Sequence, residues 1–154
     1  MPIDPTRRAL IAGAFGVFVV TGGRAGAERT RRWFAENGVA IRGTDPVAYF
    51  VEGRPVPGRA ELALDWAGAT WRFATAANRD AFAADPARYA PAYGGFCAWA
   101  VAEGYTAPID PAAWRIVEGR LYLNYSRTIQ RRWDRDIAGN IGRADANWPR
   151  LAAQ

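Results

Sequence analysis

The side chain with the greatest chemical potential in this chain occurs only once. Cys97 is the sole cysteine among 154 residues, and the sequence contains no histidine. This composition excludes an intrachain disulfide, a cysteine–histidine or serine–histidine dyad, and a closed zinc site made of several cysteines and histidines. A single thiol can still be oxidised, exchange with other thiols or bind a soft metal ion. Cys97 is therefore the leading candidate for a reactive centre, as a redox-active or a ligand-binding thiol.

The residues before Cys97 favour an unusual backbone. Gly94 and Gly95 permit positive φ angles and the close approach of another group. A short helix is predicted over residues 96–102, and Cys97 would lie in its first turn, where the helix dipole stabilises a thiolate and lowers the thiol pKa. The alternative stays open, because free cysteine is often a small buried apolar side chain. Burial among apolar neighbours would instead raise the pKa.

Aromatic residues crowd the Cys97 segment and predict a small pocket there. Its candidate ligand-binding residues are Tyr93, Gly94, Gly95 and Trp99. Arg88 is expected nearby, and the ligand would be an unknown small molecule. A soft metal is the other candidate ligand of Cys97, above all copper, because Cu(I) accepts few ligands and prefers sulfur.

The charge of the chain does not favour a nucleic-acid partner. All 20 basic residues are arginine, against 15 acidic residues, which gives a net charge of +5. A basic protein can bind nucleic acid through a clustered patch. Here the two signs alternate along the sequence, and no long basic run exists.

The first 27 residues have the pattern of an export signal. Arg7 and Arg8 precede an apolar stretch over residues 9–20, and the small residues 25–27 form a cleavage site. The arginine pair resembles a twin-arginine signal of bacteria. The apolar stretch is too short for a membrane span, so no stable span is expected after cleavage. We expect a periplasmic or secreted protein whose residues 28–154 form one domain, with a small molecule, a metal ion or a periplasmic protein as its partner.

Strand and helix patterns follow one another in mixed order, which predicts a compact α+β domain. Small antiparallel hairpins are expected to pack with short helices. Hairpins are predicted at 62–66 with 70–75 and at 114–117 with 121–125, helices at 28–37, 76–84, 127–137 and 140–146, and extended segments at 39–41 and 47–51. Thr75 and Ser126 are predicted N-caps.

Residues 41–93 resemble the YHS domain, a small module of metal-handling proteins. The resemblance rests on the opening Asp-Pro-Val at residues 45–47 and on a strand-then-helix signature over residues 71–89. The longer run to residue 149 is similar to stand-alone, exported bacterial YHS-domain proteins, some of which are named as selenoproteins. That resemblance implies a YHS-like core extended by a C-terminal hairpin and helices. It also implies redox chemistry at the Cys97 position.

The chain departs from the metal-binding YHS version at its ligands. Where that version has cysteines, this sequence has Ala48, Ala74 and Asn78. No metal site transfers to these positions, so the function would move to the Cys97 segment or be lost. The sequence thus predicts a YHS-like protein with a redox-active or ligand-binding thiol. A copper or other soft-metal carrier or sensor and a non-catalytic structural or partner-binding module are the alternatives, and whether the protein is an enzyme is left open.

Overall fold

The computed structural model describes residues 32–154, so the predicted export signal at residues 1–27 lies outside the described residues. Within that range the chain forms two small sheets and six α-helices, and the predicted α+β class is confirmed. The strands are β1 (Ala35–Glu36), β2 (Val39–Ala40), β3 (Arg59–Trp66), β4 (Ala69–Phe73), β5 (Asp110–Val117) and β6 (Arg120–Asn124). The helices are α1 (Ala48–Val51), α2 (Ala76–Ala84), α3 (Pro86–Tyr89), α4 (Ala98–Glu103), α5 (Arg127–Trp133) and α6 (Ile137–Ala152). None of the helices in the described range is long and apolar enough to span a bilayer.

The first sheet has the strand order β1-β2-β4-β3. The predicted hairpin of β3 and β4 is confirmed, and its turn residues Ala67 and Gly68 both have positive φ. β4 alternates as a half-buried strand should, with Trp71 and Phe73 in the core. β2 joins β4 in parallel at the single pair Val39–Thr70.

Helix α2 covers one face of this sheet, and its predicted bounds are confirmed. The Thr75 hydroxyl accepts the Asn78 N–H at 3.1 Å, as an N-cap should. The ring of Phe82 lies 5.2 Å from those of Trp71 and Phe73. This aromatic cluster anchors the core of the N-terminal half.

Two local predictions near the N-terminus are wrong within the described residues. The predicted helix over 28–37 is replaced, from residue 35 onward, by strand β1 and a turn at Asn37 and Gly38 with positive φ. The predicted extended segment at 47–51 is largely helix α1, because the buried Asp45 carboxylate accepts the N–H groups of Val47 and Ala48 and so initiates a turn.

The C-terminal part adds the hairpin β5-β6 and the helices α5 and α6. The hairpin turn at Glu118 and Gly119 is confirmed, as is the Ser126 cap, whose hydroxyl accepts the Ile129 N–H at 3.1 Å. Helix α6 is longer than predicted and continues through Pro149. Burial of Leu151 stabilises this last turn despite the N–H that proline lacks.

Candidate functional site

Cys97 lies in the protein core. Cys97 is 1% exposed. It directly precedes helix α4 and so occupies the N-cap position, not the first turn predicted from sequence. The thiol donates to Asn124 Oδ1 at 3.5 Å, and the Tyr125 N–H donates to the sulfur at 3.3 Å. Asn124 is the last residue of β6 and Tyr125 follows it, so both partners are more than 25 residues away in sequence.

The electrostatic environment of Cys97 has opposing effects. Burial raises the pKa of the thiol and is the largest effect, whereas the backbone N–H groups of Ala100, Tyr125 and Trp99 lower it. The pKa is raised overall, so the sulfur is held as a neutral thiol at neutral pH. Of the two interpretations that the sequence left open, the geometry matches the buried apolar cysteine.

A chain of buried amide groups begins at Cys97 and ends at the surface. Asn124 Oδ1 accepts the Trp99 N–H at 3.0 Å, and Asn124 Nδ2 donates to Gln130 Oε1 at 2.7 Å. Gln130 Nε2 donates to Asp134, which forms an ion pair with Arg115. These bonds join α4, β6 and α5, so the thiol is one member of a structural network.

The three positions at which the metal-binding YHS version carries cysteine do come together in space. Asp45 is completely buried, and its Oδ2 accepts the Ala74 N–H and the Asn78 side-chain amide, both at 2.8 Å. Its Oδ1 accepts the Ala48 N–H at 3.2 Å. Oδ1 also accepts the Val47 N–H at 2.8 Å, so the Asp45 carboxylate accepts four hydrogen bonds and connects the three positions. No group of three or more His, Cys, Asp or Glu side chains in residues 32–154 is arranged to hold a metal ion.

The predicted pocket residues separate into two sets. Tyr93 and Gly94 line a cavity of about 370 Å³, whereas Gly95, Trp99 and Cys97 do not line it. Gly95 instead faces the core, because a Cβ there would lie 2.7 Å from Ile41 Cγ2. The predicted close approach at the glycine pair comes from the chain itself: Phe34 N–H donates to the Gly94 carbonyl at 2.7 Å.

The cavity is built from three separate parts of the chain, and we call it the arginine cavity. Residues before β1, the segment from α3 to the glycine pair, and the C-terminal part supply its walls. The lining residues are Arg32, Trp33, Ala87, Arg88, Ala90, Pro91, Ala92, Tyr93, Gly94, Arg120, Trp148 and Ala152. Of these twelve residues, all from the described range 32–154, three are arginines, three are aromatic and none is acidic.

The indole and phenol groups of this wall are held in place by their neighbours. Trp33 Nε1 donates to the Ala67 carbonyl at 3.1 Å, and its ring meets that of Trp71 edge-on at 5.0 Å. Trp148 packs edge-on against Tyr93 at 6.1 Å. The Tyr93 hydroxyl donates to Asp145 at 2.9 Å. The pKa of Tyr93 is raised, mainly because the residue is buried. These groups form a fixed aromatic surface.

Of this wall, sequence reasoning identified Tyr93, Gly94 and the proximity of Arg88. It missed Arg32, Trp33, Arg120 and Trp148, which lie far apart in the sequence and converge only through tertiary packing. Asn124, the buried partner of Cys97, was missed for the same reason. The one local signal was an asparagine at the end of a run that is otherwise Leu121, Tyr122 and Leu123.

Comparison with known protein families finds a match inside the chain. Residues 47–93 match the family model of the YHS domain, which is under a third of the chain. The match ends at Tyr93, so Cys97, Arg120 and helix α6 lie beyond it. No curated protein and no solved structure matched the chain.

Proposed function

We propose that this protein is an exported YHS-like module that binds a small molecule in the arginine cavity, with Cys97 stabilising the fold. The observation that carries the proposal is the cavity itself. Its size is within the range of small-molecule sites, about 300–1,000 Å³, and it combines an aromatic wall with a few charged groups.

The segments before and after the YHS match contribute walls of the arginine cavity. The match supplies the segment from Ala87 to Tyr93, while Arg32 and Trp33 precede it and Arg120, Trp148 and Ala152 follow it. Removing either flanking part would open the cavity. A binding role therefore accounts for a C-terminal extension whose helix α6 packs on α4 and, through Trp148, against Tyr93.

Export is part of the same proposal and is supported by the sequence of residues 1–27. A cleaved signal would leave 17 arginines and 14 acidic residues, a net charge of +3. Expression of the full chain in a bacterium, followed by fractionation and mass determination, tests this. We expect a periplasmic protein that begins near residue 28. An intact cytoplasmic chain would contradict export without affecting the cavity.

The binding proposal is tested by closing the cavity. Ala152→Trp would fill it from the end of α6, and Ala153→Trp is the matched control, because Ala153 is exposed and does not line the cavity. We expect calorimetric titration to detect binding of at least one of 2-naphthoate, 2-naphthamide and 2-naphthylmethylamine to the wild-type protein. Ala152→Trp should abolish that binding and Ala153→Trp should retain it. No binding by any probe, or equal binding by both variants, would refute the proposal.

A reactive thiol at Cys97 is the second candidate function. It is favoured by the three backbone N–H groups, of Ala100, Tyr125 and Trp99, that stabilise a thiolate there. The rate at which a disulfide reagent modifies the folded protein distinguishes the two functions. If Cys97 only stabilises the fold, modification requires unfolding in urea. Rapid modification of the folded protein at neutral pH would favour the reactive thiol.

A further inference from the structure

The charges on the arginine cavity are strongly one-sided. Among residues 32–154, its lining contains Arg32, Arg88 and Arg120 and no acidic residue. Within residues 32–154, one carboxylate pairs with an arginine of the cavity: Asp145 lies 3.8 Å from Arg120. Asp145 also accepts a hydrogen bond from the Tyr93 hydroxyl. An excess of positive charge in a concave site raises the local concentration of anions.

Within the described part of the chain, the arginines of the cavity use few of their hydrogen-bond donors. A guanidinium carries five N–H donors. Arg32 donates to the Leu151 carbonyl at 3.1 Å and lies 4.9 Å over the Phe96 ring, contacts that fix its position. Arg88 lies 5.4 Å over the Tyr89 ring, and within residues 32–154 neither Arg32 nor Arg88 has a carboxylate partner within 4.0 Å.

The cavity offers both charge and apolar surface, and two of its three arginines are more exposed than its rings. Arg88 and Arg120 are exposed, whereas Trp33 and Trp148 are partly buried and Tyr93 is buried. A ligand with one charged end and a flat apolar body would satisfy both, because guanidinium groups bind carboxylate or phosphate in a bidentate manner and aromatic walls bind planar rings.

We infer that the arginine cavity selects a small organic anion, in which a carboxylate or phosphate contacts the arginines and a planar apolar body contacts the aromatic wall. This inference rests on the proposed binding function and adds the chemical class of the ligand. It requires no covalent step.

Selectivity among probes of the same shape tests the charge requirement. In calorimetric titrations we expect 2-naphthoate to bind at least tenfold more tightly than neutral 2-naphthamide, since one charge-assisted contact contributes about that factor. 2-Naphthyl phosphate tests whether phosphate is preferred to carboxylate. The affinity for both anions should fall as salt is raised, while that for the amide should not.

Variants show which charge is responsible. Arg88→Gln should lower the affinity for 2-naphthoate about tenfold and leave the affinity for 2-naphthamide unchanged. Arg127→Gln is the matched control, because Arg127 is also exposed, removes the same charge and lies outside the cavity. Equal affinity for acid and amide, or equal losses in the two variants, would overturn the anion inference while the binding function survives. If no probe binds, the binding function itself fails.

Discussion

At the scale of single residues, the environment of Cys97 decides its chemistry more than its identity does. The sequence shows one thiol after two glycines, but the raised pKa of that thiol comes from burial beside Asn124, which is distant in sequence. Helix start signals predicted a stabilised thiolate. They could not show that the surrounding core excludes water and so favours the neutral thiol.

The raised pKa of Cys97 makes stability depend on pH in a defined direction. The folded thiol keeps its proton to higher pH than the unfolded thiol, whose pKa is near 9.0. The free energy of unfolding therefore contains a contribution that is complete below about pH 9 and declines as the pH rises further. Urea unfolding of wild type and Cys97→Ala between pH 7 and 10.5 measures it.

Tyr49 and Tyr93 also have raised pKa values, and both are retained in Cys97→Ala. The comparison therefore isolates the thiol. We expect the wild-type protein to lose more stability above pH 9 than the variant. Parallel pH profiles would show that burial does not perturb Cys97.

Asp45 is the second residue whose environment gives it a specific role. It accepts four hydrogen bonds, from Val47, Ala48, Ala74 and Asn78. Asp45→Asn replaces an acceptor by a donor that faces other donors, and we expect a loss of about 3 kcal/mol in the free energy of unfolding. The exposed Asp80→Asn should change it by less than about 0.5 kcal/mol. Similar small effects in denaturant titrations would contradict the structural role of Asp45.

At the scale of elements, the sequence predicted structures that depend on local signals. The β3-β4 hairpin and helix α2 have their own turn and cap residues, and the structure confirms both. Helix α1 depends on a side chain outside it, and the last turn of α6 depends on burial of Leu151. Local pattern could not predict these two, because tertiary contacts overcome the local preference.

Gly94 depends both on its own backbone angle and on a tertiary contact, whereas Gly119 depends on its backbone angle alone. Gly94 has positive φ, and a Cβ there would overlap the Arg32 carbonyl oxygen. Gly119 also has positive φ but has open space around it. Gly119→Ala should therefore cost only backbone strain, about 1 kcal/mol. Gly94→Ala should cost about 1–3 kcal/mol more because of the overlap.

Thermal and urea unfolding of the two variants measures this difference. Equal losses would mean that the backbone of residue 32 does not lie against Gly94. Because Arg32 and Gly94 both line the arginine cavity, that result would also remove one wall of the proposed binding site.

At the scale of the whole molecule, the protein combines a YHS-like segment with flanking parts that complete a cavity. Sequence analysis identified the segment and the α+β class, because both depend on motifs and periodicity. It predicted a pocket centred on Cys97, whereas the cavity of the structure includes Tyr93 and Gly94 but not Cys97. Several other cavity residues are far apart in the sequence, and no local pattern relates Trp33 to Trp148.

The central claim is that small molecules bind in the arginine cavity and not at the thiol. The most direct measurement is a two-dimensional NMR titration of the ¹⁵N-labelled protein with 2-naphthoate. We expect shifts in the indole N–H signals of Trp33 and Trp148 and in the Gly94 amide, with the signals of Trp99 and Cys97 unchanged. Shifts confined to Trp99 and Cys97, or no shifts at all, would contradict the claim.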